Sequence, residues 1–190
     1  LGITYYIMTN YQRKDGKNKW IPNPWILMFL SLFIIIIMAI FPMSTTIKLV
    51  LFTIFSSVTG LLLSYLMTIV NPNIVKTAII GTMGIFASFF LVGLLLLASG
   101  IALGLRTGLV LLSALLLLII SMVFNIYMGG ESELSRYLTG IGLAIFSLFI
   151  VYDTNRILQK EYYGDFVTAS LEYYLDVINI FIRLLNFNRD

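Results

Sequence analysis

The sequence predicts an all-α, polytopic membrane protein, and three observations predict it. The chain has 190 residues, of which 59% are hydrophobic and only 11% charged, and its mean hydropathy is +0.98. A soluble domain of this length cannot hide that much apolar surface. The apolar residues fall into six long runs, each near the roughly 20 residues that span a hydrocarbon core. Short polar or Gly/Pro-rich breaks separate them. The alternative is a soluble protein with buried core helices. A run such as LVLLSALLLLIISMVF, residues 109–124, is too long and too uniformly apolar for that.

The elements follow in order. Residues 1–10, LGITYYIMTN, start at Leu1 rather than Met and read as the tail of a helix whose beginning is missing. The chain is therefore expected to be a fragment or processed form of a seven-helix bundle: six complete helices plus a remnant of the first. It lacks the charged start and small-residue cleavage site of a signal peptide. Residues 11–23 form a polar loop carrying Arg13, Lys14, Lys17 and Lys19, with Trp20 and Trp25 placed as interface anchors.

Pro24 suits the first turn of a helix, and the first span runs over 24–43, ended by Pro42 and Ser44. The second, 47–70, is closed by the turn Asn71-Pro72-Asn73. The third covers 74–98. Gly100, Gly104 and Arg106 mark the break before the fourth, 107–128, and Gly129-Gly130-Glu131 is the next turn. The fifth covers 134–154. A polar loop at 155–164 precedes the sixth, 165–187. The whole of 1–190 reads as a single transmembrane domain. Gly81, Gly84 and Ser88 on the third span, and Gly140 and Ala144 on the fifth, are expected to be packing seams, because small residues let membrane helices approach closely. If every span crosses fully, loops 11–23, 71–73 and 129–133 and the C-terminus share the side richer in Lys and Arg, which would be cytoplasmic.

Composition removes several kinds of function. Without Cys or His there are no disulfides, no Cys/His zinc site, no thiol nucleophile and no histidine acid–base chemistry. The net charge of +3 has no dense basic stripe, so nucleic acid is not an expected partner.

The chemistry concentrates at the end of the chain, where carboxylates stand inside apolar segments. Asp153 follows the run 141–152, and Asp176 sits within YYLDVINIF. Ionisable groups at membrane depth usually face a protein interior or water and work there. On the last span the polar residues are Asp165, Thr168, Glu172, Asp176, Asn179 and Arg183, at steps of 3, 4, 4, 3 and 4. That spacing is one face of an α-helix.

Two plainer readings compete. A surface-lying amphipathic helix would want a lysine-rich face, whereas this stripe is acidic at its centre. A structural ion-pair seam, with Asp176 and Arg183 satisfying neighbouring helices, stays open. Asp153 has Arg156 one turn on as its nearest local partner. It could merely mark a helix end, or it could face Asp176 across two packed helices. Two close carboxyls would share a proton that an arriving cation displaces. Oxygen ligands alone suit a hard cation such as Ca²⁺, bound transiently by Asp153 and Asp176 and with no tightly held cofactor.

An intramembrane aspartyl protease would also use two aspartates, as acid and base. Tyr152-Asp153 fits half of that pattern. Tyr162-Tyr163-Gly164-Asp165 lacks the first glycine of G-x-G-D, and no Pro-Ala-Leu occurs. The expectation is that the protein is not an enzyme.

The same residues carry a family resemblance. Residues 150–157, IVYDTNRI, resemble the "YDTQ-I" stretch of the Bax-inhibitor family (the transmembrane Bax inhibitor motif, or lifeguard, proteins). Residues 174–181, YLDVINIF, resemble the family's "LYLDIINLF" close. Residues 70–74, Thr77-Ala78, Gly81-Thr82 and Ile85-Phe86 are similar as well, so the resemblance runs in order along nearly the whole chain.

The resemblance implies a seven-helix fold with the last helix near the centre. It implies a pH-sensitive calcium leak, with Asp153 and Asp176 as the pH-sensing pair of the ion pathway, and suppression of cell death. It also implies a multi-pass location in the endoplasmic reticulum or Golgi if the source is eukaryotic or viral, or in the plasma membrane if bacterial. Death-regulating membrane proteins or sister copies of the chain would be the partners of a non-conducting alternative. The chain departs from the family pattern in lacking an acid over 49–70 and a basic residue over 24–43. Arg156 or Arg183 could stand in for an arginine found there in some members.

Overall fold

The computed structural model describes residues 23–68, 70–130, 132–159 and 165–188. The expected helix remnant at 1–10, the loop at 11–22 and the Tyr162–Gly164 stretch lie outside the described residues. Six helices are described: α1 Pro24–Ile40, α2 Thr45–Thr68, α3 Pro72–Ala98, α4 Leu105–Tyr127, α5 Ser132–Leu158 and α6 Phe166–Phe187. Four of them, α2 to α5, are long and apolar enough to cross a membrane. α1 is a shorter apolar helix of 17 residues, and α6 carries the polar stripe. The architecture is that of a multi-pass helical membrane protein.

The chain divides into two compact units, the first ending at Pro72. The first is an α1–α2 pair. Its entry is set locally: the Asn23 side chain accepts from the Trp25 amide at 3.0 Å, and Pro24 takes the first helical position. Both satisfy or remove amides that a helix start leaves unpaired. Leu27, Ile34 and Met38 are the buried face of α1.

The second unit, Asn73–Asp190, holds α3 to α6. α3 ends on Gly100 at φ 82°, with the amide of Ile101 on the Leu96 carbonyl and that of Gly100 on Leu97. This is a Schellman closure, in which a left-handed residue lets two orphan carbonyls find donors. α4 ends the same way on Gly129 at φ 108°, with the Gly130 amide on Asn125 and the Gly129 amide on Ile126. α4 packs on α5 and α5 on α6. Phe86, Phe89 and Phe90 bring α3 against a core of Phe146, Ile150 and Ile180.

Two sequence expectations are corrected here. The fifth span does not stop at 154: α5 runs on to Leu158, so 155–158 of the expected polar loop are helical. The seam pattern also differs. An added side chain at Gly84 or Gly140 would meet nothing within 4 Å. The close approaches are at Gly93, whose added Cβ would sit 2.7 Å from the Val151 carbonyl oxygen, and at Gly108 and Gly142, which lie under Tyr152 and Arg183. Gly81 does fit its expected role, with Leu184 at 3.0 Å.

Candidate functional site

α4 and α6 each pack along α5, and a cavity of about 590 Å³ lies among the three helices. α4 supplies an apolar wall of Leu105, Leu109, Leu112, Leu115 and Ile119, with Gly108 beside them. α6 supplies Glu172, Leu175, Asp176, Asn179 and Arg183, so the helical stripe read from the sequence becomes the polar wall. α5 supplies Phe146, Phe149, Tyr152, Asp153 and Arg156.

Asp153 and Asp176 meet here. Each is buried, at 6% and 4% exposure, and the two carboxyl groups are near neighbours across α5 and α6. A carboxylate has no proton to donate, so a hydrogen bond between two carboxyls takes one proton shared between them. Among the described residues, the buried Oδ2 of Asp176 has no hydrogen-bond partner. Glu172 and Arg156 stand within electrostatic reach of Asp153, and the Arg156 guanidinium also lies over the Tyr152 ring at 5.3 Å. Tyr173 donates to the Thr154 hydroxyl at 3.0 Å behind the pair. Its ring packs edge-on to Phe86 at 5.5 Å between centroids.

Not all of the predicted stripe reaches the cavity. Asp165 is the N-cap of α6: its carboxylate accepts from the Thr168 amide at 3.1 Å and the Thr168 hydroxyl at 2.7 Å. These two residues start the helix and are not among the cavity's lining residues. Asn179 lines the cavity while its amide donates to the Leu175 carbonyl one turn back. Among the described residues, no group of three or more acidic side chains is close enough to hold a metal ion.

Sequence reasoning missed Asn155. It was placed in a polar loop, yet it is fully buried, and its amide group ties α5 to the connector between α3 and α4. Its Oδ1 accepts from the Leu103 amide at 2.7 Å, and its Nδ2 donates to Ile101 at 2.9 Å and Gly93 at 3.4 Å. Gln159, one turn on, donates to Asn155 at 2.6 Å and to the Leu103 carbonyl at 3.3 Å. The available signal was the i, i+4 pair of amide side chains continuing the helix past Asp153.

Comparison with known proteins adds to this picture. A family model described as inhibitor of apoptosis-promoting Bax1 matches residues 1–189. Bax inhibitor 1 of Homo sapiens is 33% identical over 118 residues, 61% of this chain and 48% of that protein. Bax inhibitor 1 of Schizosaccharomyces pombe is 26% identical over 166 residues, 86% of this chain and 61% of the relative. A Golgi anti-apoptotic protein of Vaccinia virus (strain Lister) is 36% identical over 80 residues, 42% of this chain and 33% of the relative. These matches thus span between a third and three-fifths of the relatives' length.

Proposed function

The chain belongs to the family described as inhibitor of apoptosis-promoting Bax1, and from that premise we propose that it is a pH-sensitive calcium leak of an intracellular membrane that dampens cell death. Its relatives carry the names Bax inhibitor and Golgi anti-apoptotic protein, and the reading is non-enzymatic. The observation that carries the leak is the buried contact of Asp153 with Asp176 inside the cavity.

The chemistry follows from the one shared proton. A divalent cation that reaches the pair binds best when both carboxyls are ionised, so cation and proton compete for the same oxygens. Among the described residues, Tyr152, Arg156, Glu172, Tyr173 and Arg183 are the other ionisable groups around the pair, and no charged side chain from α4 lines the cavity. Flux should therefore fall as pH drops from 8 to 5. Calcium entry into liposomes containing the protein tests this beside Asp153→Asn and Asp176→Asn. Flux that falls with acidity in the parent, and is altered in both variants, supports the reading. A folded parent that passes no calcium at any pH in that range overturns it.

A second reading, a non-conducting protein that binds death-regulating membrane proteins or its own copies, is favoured by a separate groove of about 600 Å³. Glu133, Arg136, Tyr137, Gly140, Ile141, Ala144 and Phe187 line it. Its open glycine and alanine leave room for another helix. On this reading, cells expressing the double Asn variant keep their protection.

A further inference from the structure

The far end of the main cavity holds a charge that the calcium reading does not use. Arg183 lines the cavity two turns beyond Asp176, about 10 Å along the helix axis at 1.5 Å per residue. Its guanidinium sits in the notch left by the missing side chain of Gly142. It lies 5.3 Å from the centre of the Phe146 ring, and its terminal nitrogens are 3.8 and 3.9 Å from the Met122 sulfur. Its Nε is buried without a hydrogen-bond partner. Among the described residues no oxygen accepts from it.

A guanidinium is always charged and presents five donors in a planar fork shaped for an oxyanion. A thioether and a ring face are weak substitutes for that oxyanion. Leaving a cation uncompensated at membrane depth is costly. The nearest acid on its own helix, Asp176, is engaged by Asp153.

The surroundings narrow the ligand. From the guanidinium the cavity continues along Leu109, Leu112, Leu115, Ile119 and Phe149. A free inorganic anion would satisfy the fork and leave that wall bare. A single acyl chain would cover it, and the volume of about 590 Å³ is of the size that takes one small ligand.

We propose that Arg183, seated on Gly142, is the head-group site for a single-chain amphiphile with an oxyanion head, whose acyl chain lies along the leucine wall of α4. A fatty-acid carboxylate has this chemistry. The proposal goes beyond the calcium reading and holds whether or not the chain conducts.

The test is photolabelling of the purified chain in phosphatidylcholine nanodiscs with a diazirine-bearing palmitate, followed by peptide mapping. Labelling is expected on 142–149 at the Arg183 end and along the α4 wall, 109–122, that the acyl chain would follow away from it. Unlabelled palmitate should compete, whereas methyl palmitate and acetate should not. Arg183→Gln should reduce labelling at least tenfold, and Arg183→Lys, which keeps the charge, should retain most of it. Gly142→Ala puts a methyl group where the guanidinium sits and should reduce labelling without removing any charge. Thermal melting of each variant separates loss of binding from loss of fold. Undiminished labelling in Arg183→Gln, or equal competition by methyl palmitate, overturns the charged site. Competition by acetate as strong as by palmitate overturns the acyl-chain part.

Discussion

α4 and α5 are neighbours of similar length, 23 and 27 residues, built on opposite plans. α4 turns Val110, Leu116, Leu117, Ile120, Val123 and Phe124 outward and buries only Leu111, Leu118 and Asn125. α5 buries an unbroken run at 150–155 that includes Asp153, Thr154 and Asn155. Among lipid tails an exposed leucine costs nothing, while an unpaired polar group is expensive. Burial therefore follows polarity here, and the more polar of the two helices is the one enclosed by others.

The contrast can be tested by paired substitutions. The largest effect is expected at Asn155. Asn155→Ala strips partners from the Leu103 amide and the Ile101 carbonyl, and at about 1–3 kcal/mol per unsatisfied buried group the loss should be about 3 kcal/mol. Ser113→Ala on α4 removes only an exposed bond to the Leu109 carbonyl and should change stability by less than about 0.5 kcal/mol. Unfolding in mixed micelles measures both, and equal losses would erase the distinction between the helices.

Next come two glycines of α3. Gly93→Ala drives a methyl group to 2.7 Å from the Val151 carbonyl oxygen on α5 and should cost about 2 kcal/mol through overpacking. Gly84→Ala meets nothing within 4 Å. It should stabilise by up to about 0.8 kcal/mol, because alanine is the better helix former. Opposite signs in the same unfolding experiment are the expected result, and a matching sign would break the assignment of α3's contact face.

Asp153→Asn should act on function more than on fold. Neutralising one member of the pair should reduce calcium flux about tenfold, equivalent to about 1.4 kcal/mol in the barrier, and flatten its dependence on pH. A full pH response in this variant would move the sensor to another group. The smallest effect belongs to the lipid face of α4: Leu117→Ala, at an exposed position, should stay within about 0.5 kcal/mol of the parent.

Much of this was legible in the residues. The apolar runs located all six described helices, because a span must be long and apolar wherever it meets lipid. The turn residues Asn71-Pro72 and Gly129-Gly130 marked breaks that are present. The 3-and-4 spacing from Glu172 to Arg183 identified a single polar face, since helical period is a local property.

Partnership was not legible. The sequence placed Asp165 and Thr168 on the same stripe as Asp176, and only the fold separates a helix cap from a cavity wall. It placed Asn155 in a loop, because its partners lie more than 50 residues away along the chain. It marked Gly84 and Gly140 as seams but could not single out Gly93 and Gly142, where a carbonyl and a guanidinium occupy the missing side chain's space. The sequence by itself determined that the chain is a helical membrane protein with its acids gathered on the last two helices, because lipid imposes length and hydropathy residue by residue. Only the tertiary structure decided which carboxyl lies beside which, and that among the described residues no carboxylate pairs with Arg183, because contacts between helices depend on how whole helices pack and not on any one segment's own pattern.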